Sequence, residues 1–270
     1  MSSWVSYFGL SGAPFSKEIG DADLWLPPSK EQVVDELTEA LQERASVMLT
    51  GEPGVGKTCV LRALRHKLPQ AGFRLTYCHN ATLGRRDFYR LLCMALGLTP
   101  SSTAAAIFSA VSTHVEDLGR ERVHPVFLLD EAHLLHQDTL DHLHILLNYE
   151  WDRRAILSLI LVGLPELADR LAMRRNRSLY SRINRRLRVD PLVPDDTAEY
   201  IRYRMGKAGC DREVFASDAV AMLHEATAGG LRDIDRLASA ALRDTARKKR
   251  KLVERDVIAR AIDADSREAS

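Results

Sequence analysis

The run Gly51-Glu52-Pro53-Gly54-Val55-Gly56-Lys57-Thr58 constrains this chain more than any other stretch. It fits the spacing G-x-x-x-x-G-K-[ST]. In that pattern the glycines let backbone N–H groups turn inward around phosphates, the lysine adds a point charge, and the Ser/Thr hydroxyl meets Mg²⁺. Such a loop works only between a strand and the start of a helix, whose dipole completes the anion site. Val47-Met48-Leu49-Thr50 before it is a short apolar run suited to a buried strand. After it, Val60, Leu61, Leu64 and Leu68 recur at helical spacing until Pro69 stops the pattern. The nucleotide-contacting set predicted here is therefore Gly51 through Thr58 together with Cys59, with Thr58 also on the metal.

A chain of 270 residues has room for one large domain, or one domain and a smaller partner. The hydrophobic share of 46% and charged share of 28% are those of an ordinary soluble globular protein. The four cysteines, Cys59, Cys78, Cys93 and Cys210, form no C-x-x-C pair, so neither a zinc site nor a disulfide framework is expected. The N-terminus lacks the basic and apolar regions of a signal peptide, and the longest apolar stretch, 155–164, is too short to span a bilayer. A cytoplasmic location without a membrane partner is the expectation. The net charge of +1 is uninformative, but its distribution is not. Arg170, Arg174, Arg175, Arg177, Arg182, Arg185, Arg186 and Arg188 crowd one segment, and Arg247-Lys248-Lys249-Arg250-Lys251 forms a second run. Each cluster reads equally as a phosphate-binding patch or as a solvated helix face.

Apolar runs predict strands at 47–50, 73–78, 125–129 and 156–162, with a short fifth near 187–189. Between them lie helical patterns at 87–96, 102–118 and 137–149. Another helix precedes the first strand, with Ser29 and Gln32 spaced as a capping box. Strands alternating with helices imply a parallel sheet sandwiched by helices, an α/β fold. From Asp190-Pro191 onward the pattern is helical throughout, at 196–206, 217–226, 231–248 and 254–264. The expected division is an α/β nucleotide-binding domain over 1–190, with an adenine-side segment at 1–28, followed by a small all-helical lid over 191–270.

The strand Val126-Phe127-Leu128-Leu129 ends in Asp130-Glu131. Hydrolysis of a phosphoanhydride needs one carboxylate for the metal and one for the attacking water. Asp130 suits the first role, holding Mg²⁺ through water, and Glu131 suits the second. Asp130-Glu131-Ala132-His133 also spells a helicase box, but those helicases need two sheet domains and this chain has room for one. His133, His136, His142 and His144 lack metal-ligand spacing and are read as polar helix positions.

With these motifs in place the chain resembles the AAA+ ATPases, P-loop NTPases that carry a helical lid. Within them it is similar to the ExeA-like group, related to transposition helper ATPases such as Mu B, TniB and TnsC. Beyond the phosphate loop, the likeness rests on Tyr7-Phe8-Gly9-Leu10 with Pro14-Phe15, on Leu161-Val162-Gly163-Leu164-Pro165-Glu166-Leu167, and on Gly229-Gly230-Leu231-Arg232.

The resemblance implies ATP as substrate and Mg²⁺ as cofactor. It implies Arg232 as the sensor 2 arginine and Arg182 as a finger presented to a neighbouring subunit, with Arg185 and Arg186 as runners-up. It implies Asn80 as the polar residue that restrains Glu131. It also implies that Thr82, Arg85 and Arg86 face DNA phosphates. The N-terminal aromatics line an adenine pocket or form plain core. One departure stands out: Leu164 occupies the position where relatives often carry a polar sensor 1 residue, so slow hydrolysis or a sensor elsewhere is expected. The function implied is an ATPase that oligomerises as a ring or helical filament on duplex DNA and helps a transposase or integrase choose its target. The alternatives are an ExeA-type ATPase of secretion-system assembly and a replication initiator or loader. Secretion members carry a membrane span and a wall-binding domain after the lid; with the sequence running only to Ser270, that reading is expected to rank second.

Overall fold

A computed structural model describes residues 3–78, 82–148 and 155–268. They fall into two compact units: Ser29–Glu52 with Val60–Val189, and Met1–Pro28 with Pro53–Cys59 and Asp190–Ser270.

The first unit is built on five parallel strands: β1 (Ser46–Thr50), β2 (Phe73–Cys78), β3 (His124–Leu129), β4 (Ser158–Gly163) and β5 (Ile183–Arg188). They lie in the order β2-β3-β4-β1-β5, with Leu128 opposite Ile160 and Ile160 opposite Val47 across the centre. β1, β3 and β4 are buried at every position, as strands covered on both faces must be. Helices α2 (Pro28–Gln42), α3 (Lys57–Lys67), α4 (Arg85–Ala95), α5 (Ala104–Arg120) and α6 (Gln137–Leu146) flank the sheet. Phe88, Leu92, Ile107, Phe127, Leu143 and Leu159 sit in its core. This is the P-loop α/β architecture expected from the sequence.

Four local expectations change. The strand near 187–189 is longer and begins at Ile183, where Asn184, Arg185 and Arg186 point to solvent. A charged edge strand carries no apolar run, and its charges discourage further strand pairing. β4 starts at Ser158 rather than 156, since Ile156 and Leu157 approach the sheet buried but outside it. α2 opens at Pro28, so Ser29 lies within its first turn and does not cap it; proline's fixed φ suits that opening position. Two short helices, α7 (Glu166–Ala172) and α8 (Arg177–Tyr180), fill the stretch between β4 and β5.

The second unit packs α1 (Ser3–Phe8) with α9 (Pro194–Lys207), α10 (Ser217–Thr227), α11 (Leu231–Arg247) and α12 (Arg255–Glu268). Val5, Phe8 and Phe15 are buried among Tyr200, Ile234 and Val257, so the two N-terminal phenylalanines are core. Arg204 fastens the early segment: it donates to the Pro14 carbonyl at 2.6 Å, the Ser16 carbonyl at 2.8 Å and the Tyr200 hydroxyl at 2.6 Å. Tyr200 in turn donates to Asp235 at 2.6 Å. The basic run at 247–251 is largely neutralised within the unit. Arg247 and Lys248 pair with Asp244, and Arg250 pairs with Glu254 and Asp256. That favours a solvated, ion-paired face over a phosphate patch. Among the described residues, no helix is long and apolar enough to cross a membrane.

Candidate nucleotide site

In the helical unit, the loop from Pro53 reaches α3 at Lys57 through two glycines with left-handed backbone, Gly54 at φ 81° and Gly56 at φ 102°. Side chains there would be strained, and their absence leaves a backbone cradle at a helix N-terminus, the arrangement that binds phosphate. Lys57 and Cys59 are half-buried and the Thr58 hydroxyl group lies on an exposed residue. Arg232, at the second position of α11, is exposed, and its backbone N–H donates to the Gly54 carbonyl at 3.2 Å. The expected sensor arginine is thus attached to the phosphate loop by its main chain. Its guanidinium remains outside the contact.

In the sheet unit, Gly51 continues β1 and donates to the Gly163 carbonyl at the end of β4 at 3.3 Å. Asp130 follows β3 at the same sheet edge, because the strands run parallel. Its carboxylate accepts from the Tyr77 hydroxyl at 2.8 Å and from the Glu131 N–H at 2.9 Å. Partial burial, reinforced by the bond to Asp130, holds the Tyr77 hydroxyl protonated well above the usual phenol range. Burial likewise pushes the neighbouring Cys78 thiol up to about 12, so it behaves as core rather than as a nucleophile. Glu131 has φ 52° and ψ 36°, a left-handed conformation costly for a residue with a side chain. Its carboxylate is exposed to solvent while its backbone is over-determined by the turn that follows.

The remaining predicted residues are scattered. Asn80 lies outside the described residues. Thr82 is exposed ahead of α4, whose N-cap is Gly84 and whose first two residues are Arg85 and Arg86. Two cations at the positive end of a helix dipole are unfavourable by themselves and gain from an anion nearby. Arg86 already donates to the Ser102 carbonyl at 2.8 Å. Arg182 sits in the turn before β5 and folds back onto the Ser178 carbonyl at 3.1 Å. Arg185 pairs with Glu43 at 3.1 Å, and Arg186 stacks 3.9 Å above the Tyr180 ring. Leu164 follows β4, and its backbone N–H approaches the ring of His133.

His133 is the residue that sequence reading misplaced. It is not a surface helix position. It lies in a 3-10 turn (Ala132–Leu134) with only 6% of its side chain exposed. The signal available was its place two residues after Glu131.

A glycine-lined loop opening a helix and paired carboxylates after a parallel strand define a P-loop nucleotide-binding protein. A family model for the AAA domain matches residues 33–171, and the chain belongs to that family of AAA+ ATPases. General secretion pathway protein A of Aeromonas hydrophila is 32% identical over 242 residues, which are 88% of this chain and 44% of that protein. The chain therefore spans less than half the length of that relative. Among solved structures, Cdc6p from Pyrobaculum aerophilum aligns with a TM-score of 0.68 at 18% identity, over 89% of this chain and 67% of that one. Drosophila ORC bound to DNA aligns at 0.66 and 21%, covering 96% and 64%. The Aeropyrum pernix ORC1 protein in complex with DNA aligns at 0.65 and 19%, covering 92% and 67%. At such identities the likeness shows the fold alone.

Proposed function

We propose that this chain hydrolyses ATP with Mg²⁺, and that it does so as an oligomer on duplex DNA. The single observation that carries the enzymatic part is the left-handed glycine cradle that opens a helix at Lys57; within the other unit Asp130-Glu131 follow β3. Lys57 and the cradle N–H groups hold the phosphates. Thr58 and Asp130 are the residues suited to the metal, which when bound neutralises charge on the phosphates. Glu131 orients water and takes its proton. Arg232 adds charge from the helical unit, and Asn80 restrains Glu131 until nucleotide is in place. Arg182 serves the site of a neighbouring subunit, leaving its intramolecular Ser178 contact for that purpose.

The DNA reading is supported by Thr82, Arg85 and Arg86, exposed at the start of α4, where they would meet phosphates without sequence choice. In this reading ATP drives assembly of a ring or filament and hydrolysis reverses it, so that a transposase or integrase engages DNA where the assembly lies. A second reading, an ATPase of secretion-apparatus assembly, is favoured by the identity to general secretion pathway protein A. A replication initiator or loader is supported only by fold likeness.

The test is turnover together with electron microscopy on duplex DNA, with ATP and with ADP. The parent hydrolyses ATP and forms ATP-dependent rings or filaments. Lys57→Ala loses nucleotide binding, and Glu131→Gln binds but stalls, keeping the assembly. Unaltered turnover in Glu131→Gln overturns its role. Turnover without any assembly on DNA leaves the ATPase standing and moves the partner to the secretion reading.

A further inference from the structure

Beside Glu131, at a position to which the sequence assigned no role in the site, stands an imidazole. His133 is pinned from three directions. Its backbone carbonyl, and that of Leu135, accept both terminal nitrogens of the Arg170 guanidinium. Its ring and main chain lie against Gly163, where a Cβ would come within 3.2 Å of both His133 N and His133 Nδ1 and 3.1 Å from Leu167. Its Nδ1 accepts from the Leu164 N–H at 3.4 Å. An Nδ1 that accepts must present its lone pair, so the ring proton is on Nε2. That Nε2–H faces two carboxylates, Glu131 Oε2 at 3.6 Å and Glu166 Oε1 at 3.8 Å.

The ring is buried and its backbone clamped, while Glu131 and Glu166 are both largely exposed and free to adjust toward it. The side chain of Leu164 offers no hydrogen bond, but its main chain, at the end of β4, reads through the imidazole to Glu131.

The geometry points to His133 as a positioning residue for Glu131: its Nε2–H orients the carboxylate toward water, and its Nδ1 couples that orientation to the backbone at Gly163-Leu164. Glu166 competes for the same proton. This rests on the reading of Glu131 as the residue that activates water. Orientation of this kind acts on the chemical step and leaves the ground-state binding of nucleotide untouched.

Four full-length variants test it, with turnover, KM and affinity for a fluorescent ATP analogue measured in each. His133→Ala lowers kcat by about ten- to hundredfold with KM and analogue affinity unchanged. His133→Gln, whose amide nitrogen reaches the Nε2 position, recovers part of that loss. In the Glu131→Gln background, His133→Ala has no further effect. Glu166→Ala keeps or raises turnover. Independently of turnover, ¹⁵N-histidine NMR of the parent shows His133 as the Nε2–H tautomer. Parental kcat in His133→Ala, an equal loss of nucleotide affinity, no recovery in His133→Gln, a Glu166→Ala loss as large as that of His133→Ala, or an Nδ1–H tautomer overturns the proposal. Failure of the underlying reading is distinct, because it appears as unaltered turnover in Glu131→Gln alone.

Discussion

The Arg232 N–H donates to the Gly54 carbonyl at 3.2 Å, and a Cβ on Gly54 would sit 3.0 Å from the Cβ of Arg232. The phosphate loop and the start of α11 therefore meet through main chain, with little room for a side chain on Gly54. Gly54→Ala must strain a φ of 81° and push α11 away at once. We expect a loss of about 1–2 kcal/mol in stability and at least about a tenfold loss in nucleotide affinity. Arg232→Ala keeps the backbone bond and loses only charge, so it lowers affinity less. Thermal melting and fluorescent-nucleotide titration compare the two; Gly54→Ala binding as tightly as the parent would sink the prediction.

The two units respond oppositely to acid. Burial against Ser158 pushes the His124 imidazole down to about 4 from 6.5, so native His124 is neutral. Below pH 6.5 the unfolded chain takes a proton that the native chain refuses until about pH 4. Stability is thus whole above 6.5 and declines by about 3 kcal/mol as pH falls through that window. In the helical unit, burial pushes Asp235 up to about 6 from 3.8. There the native state holds a proton the unfolded state has released, so stability falls as pH rises across the same range. Urea melts at pH 7 and pH 5 should show an acid loss that His124→Gln removes and Asp235→Asn steepens. Equal slopes in all three proteins would refute both assignments.

Arg204 is 5% exposed and makes bonds that a shorter or unforked cation cannot reproduce. Arg204→Ala strands the Pro14 and Ser16 carbonyls and removes the cation beside the partly buried Asp235 carboxylate, at a cost of about 3 kcal/mol or more. Arg204→Lys supplies charge without the planar fork and should recover little of it. Calorimetry reads the loss, and limited proteolysis should find new cleavage near 14–16. A Lys variant melting with the parent would show that charge, not geometry, matters there.

Arg85→Ala should weaken duplex binding to a similar degree on unrelated sequences and flatten its salt dependence, as loss of a phosphate contact does. Arg86→Ala also removes the bond to Ser102, so its effect includes a disturbed approach to α5. Fluorescence anisotropy at several salt concentrations separates these. Sequence-dependent losses, or none, would place the DNA contacts elsewhere.

The sheet's centre was legible because β1, β3 and β4 are buried on both faces and so must be unbroken apolar runs. The phosphate loop was legible because its geometry demands glycine at fixed spacing. β5 was not, since at the edge of the sheet Asn184, Arg185 and Arg186 are exposed in succession, which erases the apolar pattern. Nor was the seat of His133, which depends on Gly163 and Arg170, thirty or more residues away in sequence. The place of the first residues was equally hidden. Phe8 and Phe15 look alike as core or as a base-binding wall until Tyr200, Ile234 and Val257 surround them.

That last arrangement has a temporal side. The segment Arg204 grips and the helices that enclose it are separated in sequence by the sheet unit. The sheet unit can find its partners within one stretch of chain, whereas covering Val5, Phe8 and Phe15 must wait for contacts nearly two hundred residues apart. Closure of the helical unit's core is therefore a long-range step, slow relative to the local pairing around it.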